Sequence, residues 1–332
     1  MLAIPGFVGS ALDPVIGVFG DTPRRRAVLL AGGAGFAISA ALSSAAVGFW
    51  MLLAALVIGN PATGAFVSLA QATLMDLEPA QHERNMARWT LAGSFGYVGG
   101  PVLIAAALWL GLGWRVPVLL LAVAAVPLTF AARRLPSPGA AAGWSLRESF
   151  AFALSALRRR EVLHRLAILE AADLLIDVFH GFLALYFVDV AGSSAKTAAL
   201  GVGAWTGAGL VGDWLLLFVL RRFSGAVYLR WSAVAALAAY PAFLISGSIA
   251  VKLVLVALLG LLNSGWYAIP QAALYGSLPG RSGVAVAVGG LGGTVGAAIP
   301  LTLGFVANAI GLAPTMWILL VAPAALLAGA RR

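Results

Sequence analysis

The chain is dominated by about eleven apolar stretches, each close to the roughly 20 residues that a helix needs to cross a bilayer. Lipid offers the backbone no hydrogen-bonding partners, so a chain that crosses it repeatedly must pair its peptide groups within helices. Of the 332 residues, 61% are hydrophobic and only 10% are charged, whereas about a quarter are charged in soluble domains. We therefore predict an all-α polytopic membrane protein with spans near residues 1–20, 27–45, 48–75, 89–111, 116–132, 164–188, 198–220, 228–246, 250–275, 283–307 and 312–330.

The residue types that cofactor chemistry needs are scarce in this chain. It has no cysteine and only 3 histidines, which argues against disulfides, thiolate chemistry and a histidine-based metal centre. The sequence also has no glycine-rich phosphate loop ending in Lys-Ser or Lys-Thr. We expect no cofactor, no metal site and no enzymatic activity. The net charge of +9 would suggest nucleic acid in a soluble chain, but the positions of the charges explain it otherwise, and no nucleic-acid partner is expected.

The basic residues are distributed very unevenly between the two sides of the membrane. If successive loops alternate sides, 18 of the 21 lie on one side, and Arg115, Lys196 and Lys252 lie on the other. Loops rich in Lys and Arg face the cytoplasm. The bias predicts a multi-pass protein of the inner (cytoplasmic) membrane, with a cytoplasmic C-terminus and a first span that runs from outside to inside.

The longest hydrophilic stretch, residues 133–163, divides the chain into an N-terminal bundle at 1–132 and a C-terminal bundle at 164–332. Within it, several apolar residues are set among Arg and Glu, which favours a short amphipathic helix on the inner membrane face. The alternative is a plain linker between the bundles. The apolar residues concerned are Trp144, Leu146, Phe150, Phe152, Leu154 and Leu157.

The two bundles show a weak internal repeat at an offset of 200 residues. The informative matches pair Asp13 with Asp213, Gln71 with Gln271, and Pro79 with Pro279. Parallel six-helix repeats are one plan of secondary transporters. At this offset the span at 164–188 has its partner before residue 1, so we expect one helix to be missing from the N-terminus.

Three short motifs resemble those of the major facilitator superfamily of secondary transporters. Residues 17–29 match its loop motif between the second and third helices, with Asp21 and the basic pair Arg25 and Arg26 in place, although Thr22 and Arg24 depart from it. The resemblance implies a two-bundle fold and alternating access. It also implies a small-molecule substrate and protons as partners, and we expect a monomer in the lipid bilayer.

The other two motifs bear on the direction and the coupling of transport. Gly96, Gly100 and Pro101 match the centre of the fifth-helix motif of the efflux branches, but close helix packing is an alternative role for them. Asn60 stands where the fourth-helix motif has an Arg that the family links to proton coupling. The usual coupling route is therefore in doubt.

One span contains an unusual number of ionisable residues. Glu170, Asp173, Asp177 and His180 fall within an arc of about 80° on an ideal helix. Because each charge at mid-membrane costs roughly 2.5–3.5 kcal/mol, they are expected to face a wet cavity, to be paired or to be protonated. We predict that Asp177, with Asp173, binds and releases the coupling proton, with Glu170 and His180 as further candidates. A purely structural polar seam is the alternative.

A second group of charges is expected at the cytoplasmic gate. Asp13 and Asp213 each lie eight residues before an inner loop, about 12 Å along a helix. We expect them to cap a helix end or to pair with loop arginines there. Asp21 is expected to act in the same way with Arg24, Arg25 and Arg26, although the arginine run would also serve topology alone.

Helix breakers occur near the middle of two matched spans, at residues 59–61 and 263–265. Unwound backbone at this depth often marks a substrate site. The predicted substrate-cavity residues are Asn60, Gln71, Phe179, Asn263, Trp266, Tyr267 and Gln271.

These observations favour proton-coupled efflux of a small, mostly apolar molecule. A proton-coupled nutrient importer on the same fold is the first alternative. A membrane subunit that has lost transport is the second.

Overall fold

A computed structural model describes residues 3–136, 144–296 and 298–329. Residues 137–143 of the predicted linker, and Arg331 and Arg332 of the basic-residue pattern, lie outside this part. The described residues form helices and connecting turns, with no strand among them. The all-α prediction is confirmed.

Sixteen α-helices follow one another along the described ranges. The first eight are α1 (Ala3–Phe19), α2 (Arg25–Ser44), α3 (Phe49–Leu77), α4 (His82–Trp109), α5 (Arg115–Ala132), α6 (Leu146–Ala156), α7 (Arg160–Asp173) and α8 (His180–Leu185). The others are α9 (Ala195–Val219), α10 (Gly225–Ile245), α11 (Ile249–Leu262), α12 (Ala268–Gly276), α13 (Ser282–Gly296), α14 (Ala298–Ile310), α15 (Leu312–Ile318) and α16 (Val321–Gly329). Two π-helical segments, Leu174–Phe179 and Tyr186–Val190, flank α8.

Nine helical stretches of the described residues are long and apolar enough to span a membrane. Two shorter apolar helices, Ile4–Phe19 and Ile249–Leu262, bring the total to the number expected from the sequence. Large apolar side chains are widely exposed, including Trp109 at 87% and Trp50 at 78%. Such exposure is expected of a surface that lipid covers, and the protein is a multi-pass membrane protein.

The two predicted helix breaks have different outcomes. The break at 263–265 is confirmed, because α11 ends at Leu262, α12 begins at Ala268, and Gly265 has a left-handed φ of +82°. The break at 59–61 is wrong, because α3 continues through Pro61. A single proline removes one backbone hydrogen bond, which a membrane helix tolerates without unwinding.

The described chain divides into two compact units by its contacts. The first consists of Met1–Gln81, Gly99–Val162 and Tyr275–Thr294, and the second of His82–Val98, Leu163–Leu274 and Val295–Arg332. In the first unit, α2 packs against α3 and α5, and α1 packs against α3. In the second, α9 packs against α11, and α10 packs against α11 and α16. The bundle boundaries at 1–132, 133–163 and 164–332 stay a prediction.

Small residues allow the closest helix pairs to form. A Cβ on Gly32 of α2 would lie 2.7 Å from the backbone nitrogen of Phe66 in α3. A Cβ on Gly212 of α9 would lie 2.8 Å from the carbonyl oxygen of Leu261 in α11. Helix association in lipid depends on such close packing, because apolar burial alone gives little advantage there.

Candidate functional site

A cavity of about 420 Å³ lies within the second unit. Its wall is formed by α4, by the end of α7 with the π-helical segment that follows and the first residue of α8, by α9, and by α11 with the break after it. The residues that line it are Trp89, Thr90, Gly93, Ser94, Tyr97, Asp173, Ile176, Asp177, His180, Trp205, Thr206, Gly209, Leu210, Asp213, Gly260, Asn263, Ser264, Gly265 and Tyr267.

The structure brings three of the four predicted proton-coupling residues into this cavity. Asp173 and Asp177 both line it and lie close enough to interact electrostatically, and His180 interacts with Asp177 in the same way. The helix is π-helical from Leu174 to Phe179, and single π turns occur frequently at functional sites.

Glu170 does not line the cavity. Its carboxylate lies against Gly296 of α13, so closely that a Cβ on that glycine would overlap it. Glu170 nonetheless interacts electrostatically with Asp173. It is therefore a neighbour of the carboxylate pair and not part of the cavity wall.

Asp213 lies in the cavity and not at a helix end. Its Oδ2 accepts a hydrogen bond of 2.5 Å from Ser94 Oγ, and the aspartate is only 6% exposed. This corrects the expectation that Asp213 caps a helix or pairs with a loop arginine. Ser94 was not identified from the sequence, because its partner is 119 residues away and depends on how α4 and α9 pack.

Asn263 is an unpaired polar side chain in the cavity wall. It is 7% exposed, and neither Nδ2 nor Oδ1 has a hydrogen-bond partner among the described residues. The Nε2 atom of His180 is likewise buried and unpartnered. A buried polar group without a partner costs about 1–3 kcal/mol, so both side chains favour a bound molecule that pairs with them.

Aromatic side chains form much of the remaining wall. Trp89, Trp205 and Tyr267 line the cavity, and the ring of His180 stacks on Trp205 with centroids 6.3 Å apart. Phe179, a predicted cavity residue, is fully buried behind this wall and packs edgewise on Trp205 at 5.1 Å.

Trp266 and the two glutamines are also buried away from the cavity. Trp266 is fully buried and donates from Nε1 to Ser232 Oγ at 2.9 Å. Gln71 accepts a hydrogen bond of 3.1 Å from the Tyr275 hydroxyl. Gln271 is buried, and its Oε1 has no partner in the described part of the chain. Of the seven predicted cavity residues, only Asn263 and Tyr267 line this cavity.

Asn60 and Asp13 line a separate cavity of about 530 Å³ within the first unit. The Asn60 amide lies directly against Gly9, and the Asp13 carboxylate lies against Gly64. Asp13 therefore faces a cavity between membrane-spanning helices, and among the described residues it neither caps a helix nor pairs with an arginine, contrary to the expectation.

The motif glycines of α4 are not required for close packing in this structure. A Cβ on Gly96 or Gly100 would meet no heavy atom within 4 Å among the described residues. Pro101 is exposed and lies inside the continuous helix α4.

The loop motif forms a buried polar cluster, which we call the loop cluster: Asp21, Arg25, Asp76 and the start of α13 at Ser282–Val284. Asp21 accepts hydrogen bonds from the backbone N–H groups of Gly283 (2.7 Å) and Val284 (3.0 Å). Arg25 Nη1 lies 2.5 Å from Asp76 Oδ2, which also accepts from Ser282 Oγ at 2.6 Å. The Asp21 carboxylate thus accepts hydrogen bonds from two backbone N–H groups that the first turn of α13 leaves without a partner inside the helix.

Burial is the largest influence on the charge of Asp21. It raises the pKa of the Asp21 carboxyl to about 6, and the charge of Asp76 acts in the same direction. The two N–H donors and Arg25 oppose this rise. Of the three motif arginines only Arg25 is buried, whereas Arg24 and Arg26 are exposed, and Arg26 donates to the Leu135 carbonyl at 2.7 Å.

A second carboxylate caps another helix in the second unit. Glu83 Oε2 accepts a hydrogen bond of 3.0 Å from the N–H of Gly225, the first residue of α10. At the repeat offset, Gly225 corresponds to Arg25 of the loop motif. No local sequence pattern indicates this contact, although Glu83 is an acidic residue in the first turn of α4.

Arg281 and the linker helix form a cation–π cluster. The predicted amphipathic helix exists as α6, and Ser145 and Glu148 form a capping box at its start. The Arg281 guanidinium lies 3.6 Å from the centroid of the Trp144 ring and 4.3 Å from that of Phe152. Hydrogen bonds from Ser145 lower the pKa of Glu148.

Lys252 is buried within α11 and does not lie in a loop. Its Nζ donates to the Phe243 carbonyl at 2.6 Å and to the Tyr186 hydroxyl at 3.1 Å, and it lies over both rings. The basic-residue pattern had placed it on the outer side. Its partners show that it connects α11, α10 and the π-helical segment Tyr186–Val190.

Comparison with known proteins establishes the family. The Major Facilitator Superfamily model matches residues 1–301. The chain therefore belongs to the major facilitator superfamily, and it is a membrane transporter and not an enzyme. No curated protein matches it in sequence.

Solved structures share the fold at low sequence identity. The E. coli fucose:proton symporter FucP has a TM-score of 0.79 at 17% identity, covering 99% of this chain and 89% of that one. The human organic anion transporter TETRAN has a TM-score of 0.76 at 20% identity, covering 99% and 81%. A bacterial homologue of the iron transporter ferroportin, in an outward-facing state, has a TM-score of 0.69 at 17% identity, covering 99% and 87%.

Proposed function

We propose that this member of the major facilitator superfamily exports a small molecule in exchange for protons, by alternating access through the cavity of the second unit. One observation supports this most strongly. Asp173 and Asp177 face one cavity of about 420 Å³ beside His180 and the unpaired amide of Asn263. The cavity therefore combines groups that bind protons with groups that bind a substrate.

Asp177 is proposed as the proton carrier, with Asp173 as its partner. Asp177 is exposed to the cavity, whereas Asp173 is partly buried beside it. Their charges repel, so a proton bound by either carboxylate relieves that repulsion. A substrate that stabilises the two negative charges favours release of the proton, and this linkage couples the two movements.

The loop cluster and the Glu83–Gly225 contact are proposed as the cytoplasmic gate. In each, a carboxylate from the predicted N-terminal bundle accepts from the start of a helix in the predicted C-terminal bundle. Separating the bundles at this level would break both caps and leave buried donors unpaired. The gate therefore favours one state of the cycle until ligand binding offsets that cost.

Export is proposed because Gly96, Gly100 and Pro101 match the efflux-branch motif. Import by symport is the alternative, since FucP, a protein of the same fold, is a fucose:proton symporter. We further propose that the transporter is a monomer in the cytoplasmic membrane with its C-terminus in the cytoplasm, as the basic-residue pattern predicts.

Everted membrane vesicles provide the test, because their orientation is known. After respiration acidifies the vesicle interior, a pH-sensitive dye reports proton loss when each compound of a panel of lipophilic cations, neutral aromatics and sugars is added. Export predicts that at least one compound releases protons with wild-type protein and that Asp177→Asn abolishes the response.

Asp189→Asn is the matched control. Asp189 lies on the same span, is exposed, and is not among the residues that line the cavity. It should therefore respond like wild type. If substrate-driven proton uptake appears only in right-side-out vesicles, the protein is an importer. Proton release by Asp177→Asn at the wild-type rate would show that another group carries the proton.

A further inference from the structure

We propose that the substrate of this cavity is an organic cation with an aromatic or apolar body. The inference rests on the proposed function in one respect, namely that the cavity of the second unit is the transport site. The inference adds to the proposed function the charge and the chemical class of the molecule that binds in this cavity.

The wall of the cavity is acidic. The lining residues include Asp173, Asp177 and Asp213 but no Lys or Arg. Asp213 has a hydrogen-bond partner in Ser94, whereas Asp173 and Asp177 have no hydrogen-bond or ion-pair partner in the described part of the chain, and His180 is the basic group that interacts with Asp177. In a membrane interior of low dielectric, an anion there would be repelled and a neutral molecule would leave these carboxylates uncompensated. A cation neutralises them.

The wall of the cavity is also partly aromatic. Trp89, Trp205 and Tyr267 line the same cavity as the two aspartates. The negative face of an aromatic ring attracts a cation, and tryptophan does so most strongly. The same rings provide a large apolar surface for the body of an amphiphilic ligand.

Asn263 supplies an unpaired amide to the cavity, and this observation is independent of the acidic residues. Its side chain is more than nine-tenths buried, lines the cavity and has no partner for Oδ1 or Nδ2 among the described residues. An amide oxygen without a partner accepts from an N–H group, and the amide nitrogen donates to an acceptor. A protonated amine that also has an oxygen acceptor would satisfy both atoms.

The position of the amide supports its assignment to ligand binding. Asn263 directly follows α11, in the turn where Gly265 adopts its left-handed φ of +82°. This turn brings Asn263, Ser264 and Tyr267 to the cavity, whereas Ser264 uses its hydroxyl to donate to the Gly209 carbonyl at 3.2 Å. Asn263 is thus the side chain of the turn whose hydrogen-bonding groups remain available.

Binding to the purified, detergent-solubilised full chain tests the charge directly. Tetraphenylphosphonium and tetraphenylborate have nearly the same shape and opposite charges, so equilibrium dialysis with each separates charge from size. Benzyltrimethylammonium is a smaller cationic probe. We expect saturable binding of at least one of the two cations and no saturable binding of tetraphenylborate.

Variants assign the binding to the cavity. Asp173→Asn and Asp177→Asn should each weaken cation binding about tenfold or more, the loss of roughly 1.4 kcal/mol of interaction. Asp189→Asn should bind like wild type. Size-exclusion profiles and melting temperatures of all variants identify any that fail to fold, and Asp173→Ser and Asp177→Ser, which also remove the negative charge, then replace them.

The possible results separate this inference from the proposed function. Saturable binding of tetraphenylborate at an affinity equal to that of the cation, or no saturable cation binding, would overturn the inference. Cation binding that does not depend on Asp173 or Asp177 would overturn it too. Cation binding without proton release in everted vesicles would instead refute the coupled export and leave the assignment of the ligand intact. Proton-coupled export of neutral molecules alone would overturn the assignment of a cationic ligand and leave the coupled export intact.

Discussion

Asp21 caps the first turn of α13 by accepting the backbone N–H of Gly283 at 2.7 Å, across a separation of 262 residues. The same carboxylate accepts from Val284, so both of its oxygens are used. Such a cap stabilises a helix start through hydrogen bonds and through the positive end of the helix dipole. This cap also has a cost, because the charged carboxylate of Asp21 has no exposed surface and so loses its contact with water.

The cap at Asp21 predicts a specific dependence of stability on pH. The pKa of Asp21 is raised from 3.8 to about 6 in the folded protein. The folded protein therefore binds this proton more tightly than the unfolded chain does, and protonation of Asp21 favours folding. The resulting stability is fully present below about pH 4 and is lost as the pH rises through 6. In Asp21→Asn, whose side chain does not titrate, this loss should be absent.

Melting temperatures of wild type and Asp21→Asn between pH 4 and pH 7 measure the effect. The difference between the two proteins should change in favour of Asp21→Asn as the pH rises, and then level off above about pH 7. A difference that is the same at every pH would contradict the raised pKa. Glu148→Gln serves as a control at an acidic residue outside the membrane spans: its pKa is lowered from 4.5, so its stabilising contribution should be constant from pH 7 down to about pH 5 and should be lost only as the pH falls further.

The Ser94–Asp213 hydrogen bond gives a second prediction. Ser94→Ala would leave a nearly buried carboxylate without this donor, at a cost of about 1–3 kcal/mol. Ser94→Thr retains a hydroxyl and should be much less destabilised. A double-mutant cycle with Asp213→Asn isolates the pair, and it should give a coupling energy of about 0.5–3 kcal/mol. Additive effects would show that the contact contributes nothing.

Local sequence patterns were sufficient for the features that depend on one helix alone. The spans follow from apolar length, the α6 helix from apolar residues set among Arg and Glu, and the break after α11 from Asn263-Ser264-Gly265. The common face of Asp173, Asp177 and His180 follows from helical periodicity. In each case the relevant residues are neighbours in the chain, so their spacing determines the outcome.

Features that depend on a partner helix could not be predicted from those patterns. Pro61 lies inside α3 and does not break it. Phe179 and Trp266 are fully buried behind the cavity wall, because side chains of other helices surround them. The Glu83–Gly225 contact joins residues 142 apart, and no periodicity encodes such a pairing. The repeat located equivalent loops, but it did not indicate that the second cap has its carboxylate on α4.

The Arg281 cluster predicts how the linker helix is held. Arg281→Ala removes a guanidinium that lies over both Trp144 and Phe152, and should cost about 1 kcal/mol or more. Arg281→Lys keeps the charge but loses the planar stacking, so we expect an intermediate effect. Hydrogen exchange of the α6 amides should accelerate in the order wild type, Arg281→Lys, Arg281→Ala. Equal protection in all three would show that α6 is held by other contacts.

Gly225 is predicted to be intolerant of any side chain, because its position at the start of α10 is enclosed. A Cβ there would lie 2.7 Å from Glu83 Oε1 and 2.6 Å from Ile269 Cγ2, and both distances are shorter than normal van der Waals contact. Gly225→Ala should therefore displace the Glu83 cap and lower the melting temperature.

Gly247→Ala is the matched control for Gly225→Ala, since a Cβ at Gly247 meets nothing within 4 Å. Glu83→Gln, which keeps an acceptor for the Gly225 N–H, should be milder than Glu83→Ala, which leaves the helix start uncapped at a cost of about 1 kcal/mol. If Gly225→Ala and Glu83→Ala destabilise the protein through the same contact, their effects should be less than additive. Full additivity would mean that Gly225 matters only for its packing against Ile269, and that Glu83 has no part in holding α10.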